Sequence, residues 1–287
     1  MDRGRVEIGA LTASTVAVTG VTGGLGRAVS TALAVGGARV ILVCRDRERG
    51  EAVRRDVASA ATGPEPALVT ADLADLSSVR RAAAEIVAGC DHLEGLVNNA
   101  AVFARCRRAS SDGYELMFAT NHLGPFLLTN LLIDALRAAG SARVVTLSAP
   151  STVALDFEDL QGEHDFKPLR TFGASKMANL LFAFELARRG ERFGITSNAI
   201  HPGLVRTQLM REAPPPLRWA TRVASRPPAK AAAAIVSAVV DDDPARATGQ
   251  LLKNGKPVAT SEFARDRTNQ TRLWSVSCAL TGLPDTA

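Results

Sequence analysis

The feature that most constrains this chain is an alternation. Short runs rich in β-branched residues, STVAVTG, ARVILVC, PALVTAD, LEGLVNNA, ARVVTLSA, GITSNAIHPG and ATGQLLK, take turns with longer Ala- and Leu-rich stretches. That is the pattern of βαβ units packed around a parallel sheet. Helices are expected from near Leu25, Arg47, Leu76, Ser111, Thr171 and Ala229, with another in SEFARDRTNQTRLWSVSCAL. Seven strands and the helices between them make one doubly wound α/β domain over residues 1–287, with 1–12 as an N-terminal tail and no linker. At 46% hydrophobic residues the chain has ample material for the core of such a domain.

Two segments break the rhythm. The stretch from Pro150 to Arg170 far exceeds an ordinary strand-to-helix loop of about 2–6 residues, and REAPPPLRWATRVASRPPA follows the sixth strand. Both leave carboxyl ends of strands, the edge where open α/β sheets bind ligands. They are the candidate walls of a substrate pocket, with residues 203–228 as its lid. The lid arginines, Arg206, Arg211, Arg218, Arg222 and Arg226, suit an acidic substrate or carrier, or are simply solvated.

Several classes are disfavoured. The net charge of +5 comes with interspersed signs and no Lys/Arg run interleaved with aromatics, so no nucleic-acid partner is expected. Cys44, Cys90, Cys106 and Cys278 lie far apart without a C-x-x-C pair, which indicates neither a disulfide framework nor a metal site. The first ten residues are polar and no apolar run approaches the ~18 residues a membrane span requires. A cytoplasmic protein is expected, and the preference for Arg over Lys with abundant Ala suits a GC-rich bacterial genome.

The first crossover carries the sharpest signal. VAVTGVTGGLGRAVSTAL sets Gly20, Gly24 and Gly26 between a strand and a helix, with Thr22, Leu25 and Arg27 in the same turn. A tight turn, room for a pyrophosphate against backbone, and a helix N-terminus facing negative charge are what a dinucleotide needs. At the tip of the second strand stand Cys44 and Arg45 rather than an acid that would hold a ribose diol. Arg45 and Arg27 suit a 2'-phosphate, which favours NADP(H); otherwise they are solvated side chains. Asp72, followed by Leu73, ends the third strand near the expected adenine, or caps the next helix, a task for which Asp75 is better placed. Asn98, Asn99 and Ala100 close the fourth strand beside the cofactor path.

The glycine spacing, ADL, NNA, NHLGPFLLTNLL, SKMANLLFAFELARR and HPGLVRTQL together resemble the short-chain dehydrogenase/reductase superfamily. The nearest likeness is to its retinol-dehydrogenase-like and WW-domain-oxidoreductase-like branch, and it extends to TRLWSVSCALTGL. The resemblance implies a Rossmann-type doubly wound sheet of seven parallel strands in a three-layer α/β/α sandwich. It also implies a small-molecule substrate, and a homo-oligomer, dimer or tetramer, built through the helices near Ser111 and Thr171. It assigns Asn121 to a helix disturbance that admits a water. It assigns Lys176 to the nicotinamide ribose, where its charge would lower the pKa of a neighbouring tyrosine. The backbone of Pro202, Gly203 and Val205, with Thr207, would meet the nicotinamide carboxamide.

Two positions depart from the family pattern. Phe172 falls on the catalytic tyrosine, and aligning RVVTLSAPS puts Ser148 on the first serine of the usual pair and Ala149 on the second, which bonds the substrate oxygen. General acid catalysis supplies roughly 10²–10⁴-fold, so fast reduction of ordinary ketones is not expected. Tyr114 is the chain's only tyrosine and would lie two turns from Asn121. Ser151, Thr152 and His164 lie in the long loop; His122 and His201 read better as structural residues. Ala149 beside Phe172 favours natural divergence over an introduced change. Three readings remain: a reductase acting on an iminium, conjugated alkene or quinone-like ring in bacterial specialised metabolism; a non-redox cyclase, isomerase or dehydratase; and a non-catalytic NADP-binding module.

Overall fold

The computed structural model describes residues 11, 12, 14–205, 209, 211, 212, 225–240 and 248–285. Alternation within each strand builds the fold. In β1 (Thr15–Thr19), Val16 and Val18 face one side and Ala17 the other; in β2 (Arg39–Cys44), Val40 and Leu42 oppose Ile41 and Val43. Both sets are buried, so each strand is apolar on both faces, as a strand covered by helices on both sides must be. Each fully buried aliphatic side chain contributes roughly 1.5–3 kcal/mol.

The strands continue with β3 (Ala67–Thr70), β4 (Gly95–Asn98), β5 (Ala142–Leu147), β6 (Ile195–Ile200), β7 (Leu251–Lys253) and β8 (Lys256–Pro257). They lie in the order β3-β2-β1-β4-β5-β6-β7-β8, all parallel except the last. The expected seven strands are thus joined by an eighth. Asn254 and Gly255, both at positive φ, turn the chain into this two-residue antiparallel edge. The order reverses between β1 and β4, and the crevice at their carboxyl ends is where such sheets take ligands.

One face carries α1 (Gly24–Val35), α2 (Arg47–Ala60) and α8 (Pro228–Val240). The other carries α3 (Leu76–Gly89), α5 (Gly124–Leu131), α6 (Ile133–Ala138), α7 (Pro168–Gly190) and α10 (Arg267–Thr281). Local chemistry starts several of them. Asp46 accepts from the Arg49 N–H to cap α2, and Asp75 caps α3 through Ser77 and Ser78, as its position in the sequence suggests. The expected continuous C-terminal helix is two, α9 (Glu262–Arg265) and α10, because Asp266 is extended and caps the second through Thr268. Leu11, which the sequence places in a tail, is buried in the core and bonds Gly36.

The helix expected from Ser111 begins only with α4 (Leu116–Phe118), after an antiparallel bridge between Ala109 and Glu115. It runs through a π-helical turn, Ala119–Leu123, into α5. On the far side of α7, every residue from Ser175 to Ala187 is buried. There α10 sets Trp274 edge-on to Phe126 at 5.0 Å and stacked on Phe182 at 6.1 Å. This packs α10 against α5 and α7 on that side of the sheet.

Candidate active site

Gly20 leaves β1 with φ +72, a left-handed conformation that strains any side chain. A Cβ there would stand 2.7 Å from the Ala100 Cα, and one on Gly26 would stand 2.5 Å from the Gly20 carbonyl oxygen. The turn is thus pressed against the end of β4. Asn99 braces it: its side-chain amide donates to the carbonyls of Thr19 and Gly20, while the Thr19 hydroxyl accepts the N–H groups of Asn99 and Ala100. Asn98, expected from sequence to share the cofactor side with Asn99, turns the other way and donates to the Thr129 hydroxyl inside the core. The strand ends there, and the two asparagines divide between core and crevice. Helix α1 opens on exposed Gly23 and Gly24, and no side chain caps its first N–H groups. Leu25 is buried beneath the turn, and Thr22 is half-buried at its rim.

At the tip of β2, Cys44 is buried and its thiol donates to the Asp46 carbonyl. Burial pushes this thiol above the ordinary cysteine range, so it is no ready nucleophile. Arg45 is exposed, 3.9 Å from the Asp72 carboxylate, which follows the neighbouring strand β3. Arg27 pairs with Asp56. Of the two arginines chosen from sequence, Arg45 is the less committed, since its partner stands at the limit of an ion pair. Asp72 also accepts the Ala74 N–H, and its own N–H donates to Ser78. Leu73 is buried, its carbonyl pressed against Gly124.

The residues that the family resemblance singles out gather around α7. Asn121, fully buried in the π-helical turn, accepts the Val102 N–H at 2.7 Å and donates to the Val102 carbonyl and the Ser175 hydroxyl, each at 3.0 Å. A π turn places one extra residue in the helix and releases the regular ladder, which is the disturbance expected at this asparagine. Ser175, not singled out from sequence, passes the contact on by donating to the Phe172 carbonyl at 2.8 Å. Its place immediately before Lys176 was the available signal.

Lys176 is buried, its ammonium 3.3 Å from the Leu147 carbonyl and 5.4 Å from the Phe172 ring centroid. Burial lowers its pKa to about 8. Asn179 donates to the same carbonyl. Ser148 faces α7, its hydroxyl donating to the Lys176 carbonyl at 2.7 Å, while half-buried Ala149 presents only a methyl group. Phe172 packs edge-on to Phe103 at 5.7 Å.

Other candidates stand elsewhere. Tyr114 precedes the helix rather than riding on it, and its hydroxyl donates to the Leu280 carbonyl. His122 is packed among Phe118, Phe126 and Phe182 with Nε2 on the Ser277 hydroxyl, and burial lowers its pKa to about 3. The His201 backbone N–H joins β7 through the Leu252 carbonyl. The Ser151 hydroxyl donates to the Gly173 carbonyl, and Thr152 and His164 are exposed. Gly203, at φ +76, has open space where a side chain would be, next to Pro202. Val205 bridges to Arg226 and leans on the core. Arg211 and Arg226 are exposed, whereas Thr207, Arg206, Arg218 and Arg222 lie outside the described residues.

A family model described as short chain dehydrogenase matches residues 14–217, more than half of the chain. The chain belongs to the short-chain dehydrogenase family. Human Retinol dehydrogenase 11 is 36% identical over 275 residues, spanning 94% of this chain and 86% of its own. Human Retinol dehydrogenase 13 is 35% identical over 283 residues, spanning 94% and 85%. Among solved structures, an uncharacterized protein from Mycobacterium paratuberculosis matches with a TM-score of 0.78 at 31% identity over 98% of both chains. A Beutenbergia cavernae chain assigned as an NAD(P)-dependent gluconate 5-dehydrogenase, with NADP at low occupancy, matches with a TM-score of 0.68 at 26% identity, over 85% of this chain and 96% of that one.

Short-chain dehydrogenases bind NAD(P), and the residues here fit such a group. The turn at Gly20, Gly23 and Gly24, where glycines leave the backbone bare, and the start of α1, whose first N–H groups no side chain caps, lie at the carboxyl end of β1. Among the described residues no helix is long and apolar enough to cross a membrane, and no cluster of His, Cys, Asp or Glu could hold a metal ion.

Proposed function

We propose that this short-chain dehydrogenase is an NADP(H)-dependent reductase of atypical mechanism. Its substrate would accept hydride with little acid assistance, such as an iminium, a conjugated alkene or a quinone-like ring. The observation that carries this reading is the pairing of Phe172 with Lys176: an aromatic ring without a hydroxyl stands 5.4 Å from a buried ammonium. Bound NADPH would supply the hydride. Gly20, Gly24 and Gly26 with the start of α1 would receive the pyrophosphate, Arg45 the 2'-phosphate, and Lys176 the nicotinamide ribose. The likeness to retinol dehydrogenases supports an apolar substrate, and the Phe103, Met117 and Phe172 surroundings agree with it. Ser148, turned into α7, and Ala149 offer no hydroxyl to a substrate oxygen.

The test has two parts. Fluorescence titration should give tighter binding of NADPH than of NADH. Turnover of NADPH should then be measured on matched substrates, a saturated ketone against an α,β-unsaturated ketone, an iminium and a quinone. Fast reduction of the saturated ketone, or no affinity for either nucleotide, would overturn the proposal. A second reading, a non-redox cyclase, isomerase or dehydratase, draws on the same apolar surroundings and would yield product equal in mass to substrate, or lighter by one water, with no nucleotide consumed.

A further inference from the structure

Consecutive arginines on one loop grip two different segments. Arg107 donates through Nε to the Gln161 carbonyl at 3.0 Å and through Nη2 to Glu163 at 3.3 Å. Arg108 donates through Nη2 to the Glu212 carboxylate at 2.8 Å. Gln161 and Glu163 belong to the long loop before α7, while Glu212 follows β6 by twelve residues. These are the two segments whose length and composition mark them as pocket walls. The Arg108 guanidinium beside Glu212 holds its carboxyl below the usual range, so the pair is charged at neutral pH.

What the grips position is apolar. Phe103, Ala104 and Met117 form a small buried cluster, and Val102, Leu116, Phe166, Phe172 and Leu209 pack on it while staying partly open. Phe166 comes from the segment held by Arg107, Leu209 from the segment held by Arg108, and Phe172 from the helix of Lys176. Three walls therefore converge on one cluster, and two depend on ion pairs with a single loop. The Arg108–Glu212 pair is only partly exposed, at 44% and 29%, so solvent screens it incompletely.

We propose that Arg108 and Glu212 are positioning residues for substrate specificity. By pairing, they hold Leu209 against the Phe103 cluster, on which Phe172 also packs, and complete an apolar wall there. This rests on the reading above only in taking the Phe172 face as the substrate side. The wall would accept a neutral, flat, apolar group and reject one bearing charge.

The test uses Nile red, a neutral planar dye whose emission reports polarity, titrated into the full chain, with NADPH titrated separately. The parent chain should bind the dye saturably, with a blue shift. Arg108→Glu should weaken dye affinity about tenfold, Glu212→Arg should do the same, and the double exchange should recover to within about twofold, since it restores the pair with reversed polarity. Leu209→Asp should abolish dye binding. NADPH affinity should stay unchanged in all four variants, which also reports that they fold. No saturable dye binding by the parent, no loss in the single exchanges, or no recovery in the double exchange would overturn the inference. Failure of NADPH binding with the dye pattern intact would instead strike the functional reading and leave this one standing.

Discussion

Replacing Phe172 by tyrosine asks whether the rest of the reductase machinery is intact. The ring centroid stands 5.4 Å from the Lys176 ammonium. An ammonium ~5 Å from a phenolate oxygen, in an effective dielectric of ~20, stabilises it by about 3 kcal/mol. That equals roughly two pKa units, enough to bring a phenol from ~10 to ~8 and make it an effective acid near neutral pH. A positioned acid supplies ~10²–10⁴-fold, or about 3–5 kcal/mol of barrier. Phe172→Tyr should therefore raise the rate of saturated-ketone reduction by two orders of magnitude or more. Because Ala149 still lacks a hydroxyl, Phe172→Tyr with Ala149→Ser should gain further. The assay is NADPH consumption with an apolar ketone, accompanied by nucleotide titration of each variant. If both variants bind NADPH as the parent does and neither gains ketone reduction, the missing phenol is not what limits this site, and the reasoning fails.

Other outcomes follow from single contacts. Arg45→Ala should reduce the preference for NADPH over NADH by about 10–100-fold, the worth of a charge-assisted bond to phosphate, whereas Arg27→Ala should change it less because Arg27 already pairs with Asp56; equal effects would refute the assignment. Gly26→Ala should cost about 1–3 kcal/mol and at least tenfold in nucleotide affinity, because its methyl would meet the Gly20 carbonyl and Asn99 amide; denaturant unfolding and titration check both. In the fold, burial lowers the Lys176 pKa from 10.5 to about 8. Between those values the unfolded chain holds more protons, so stability should rise with pH across that window relative to Lys176→Met, by up to about 3 kcal/mol. A flat difference would mean the amine is not buried. Phe126→Ala, removing a fully buried ring beside Trp274 and Phe182, should cost about 3–5 kcal/mol in the same unfolding assay.

The parallel sheet was legible because its strands are apolar on both faces, and a run such as Val40 to Cys44 permits few alternatives. The glycine turn was equally plain, since Gly20 and Gly26 stand where a Cβ would collide with backbone. Local chemistry beyond ordinary caps was harder to read. Helix α4 starts late because the Glu115 carboxylate receives the Phe118 N–H after a β-bridge, and nothing in DGYELMF advertises either contact. Alternation could not separate Asn98 from Asn99, because regular pairing stops between them. Ser175 and Asn121 are 54 positions apart, and Arg108 and Glu212 are 104 apart. Such partners are chosen by the folded geometry rather than by neighbours in the chain.

The aromatic seal that α10 lays over the far side of α7 has a consequence for biosynthesis. Trp274 leaves the ribosome after Phe126, Phe182 and the whole sheet, so until it arrives the nascent chain carries a greasy face with no cover, directly behind the helix that bears Lys176. The helix that bears Lys176 is thus finished from behind, by one of the later segments to be translated.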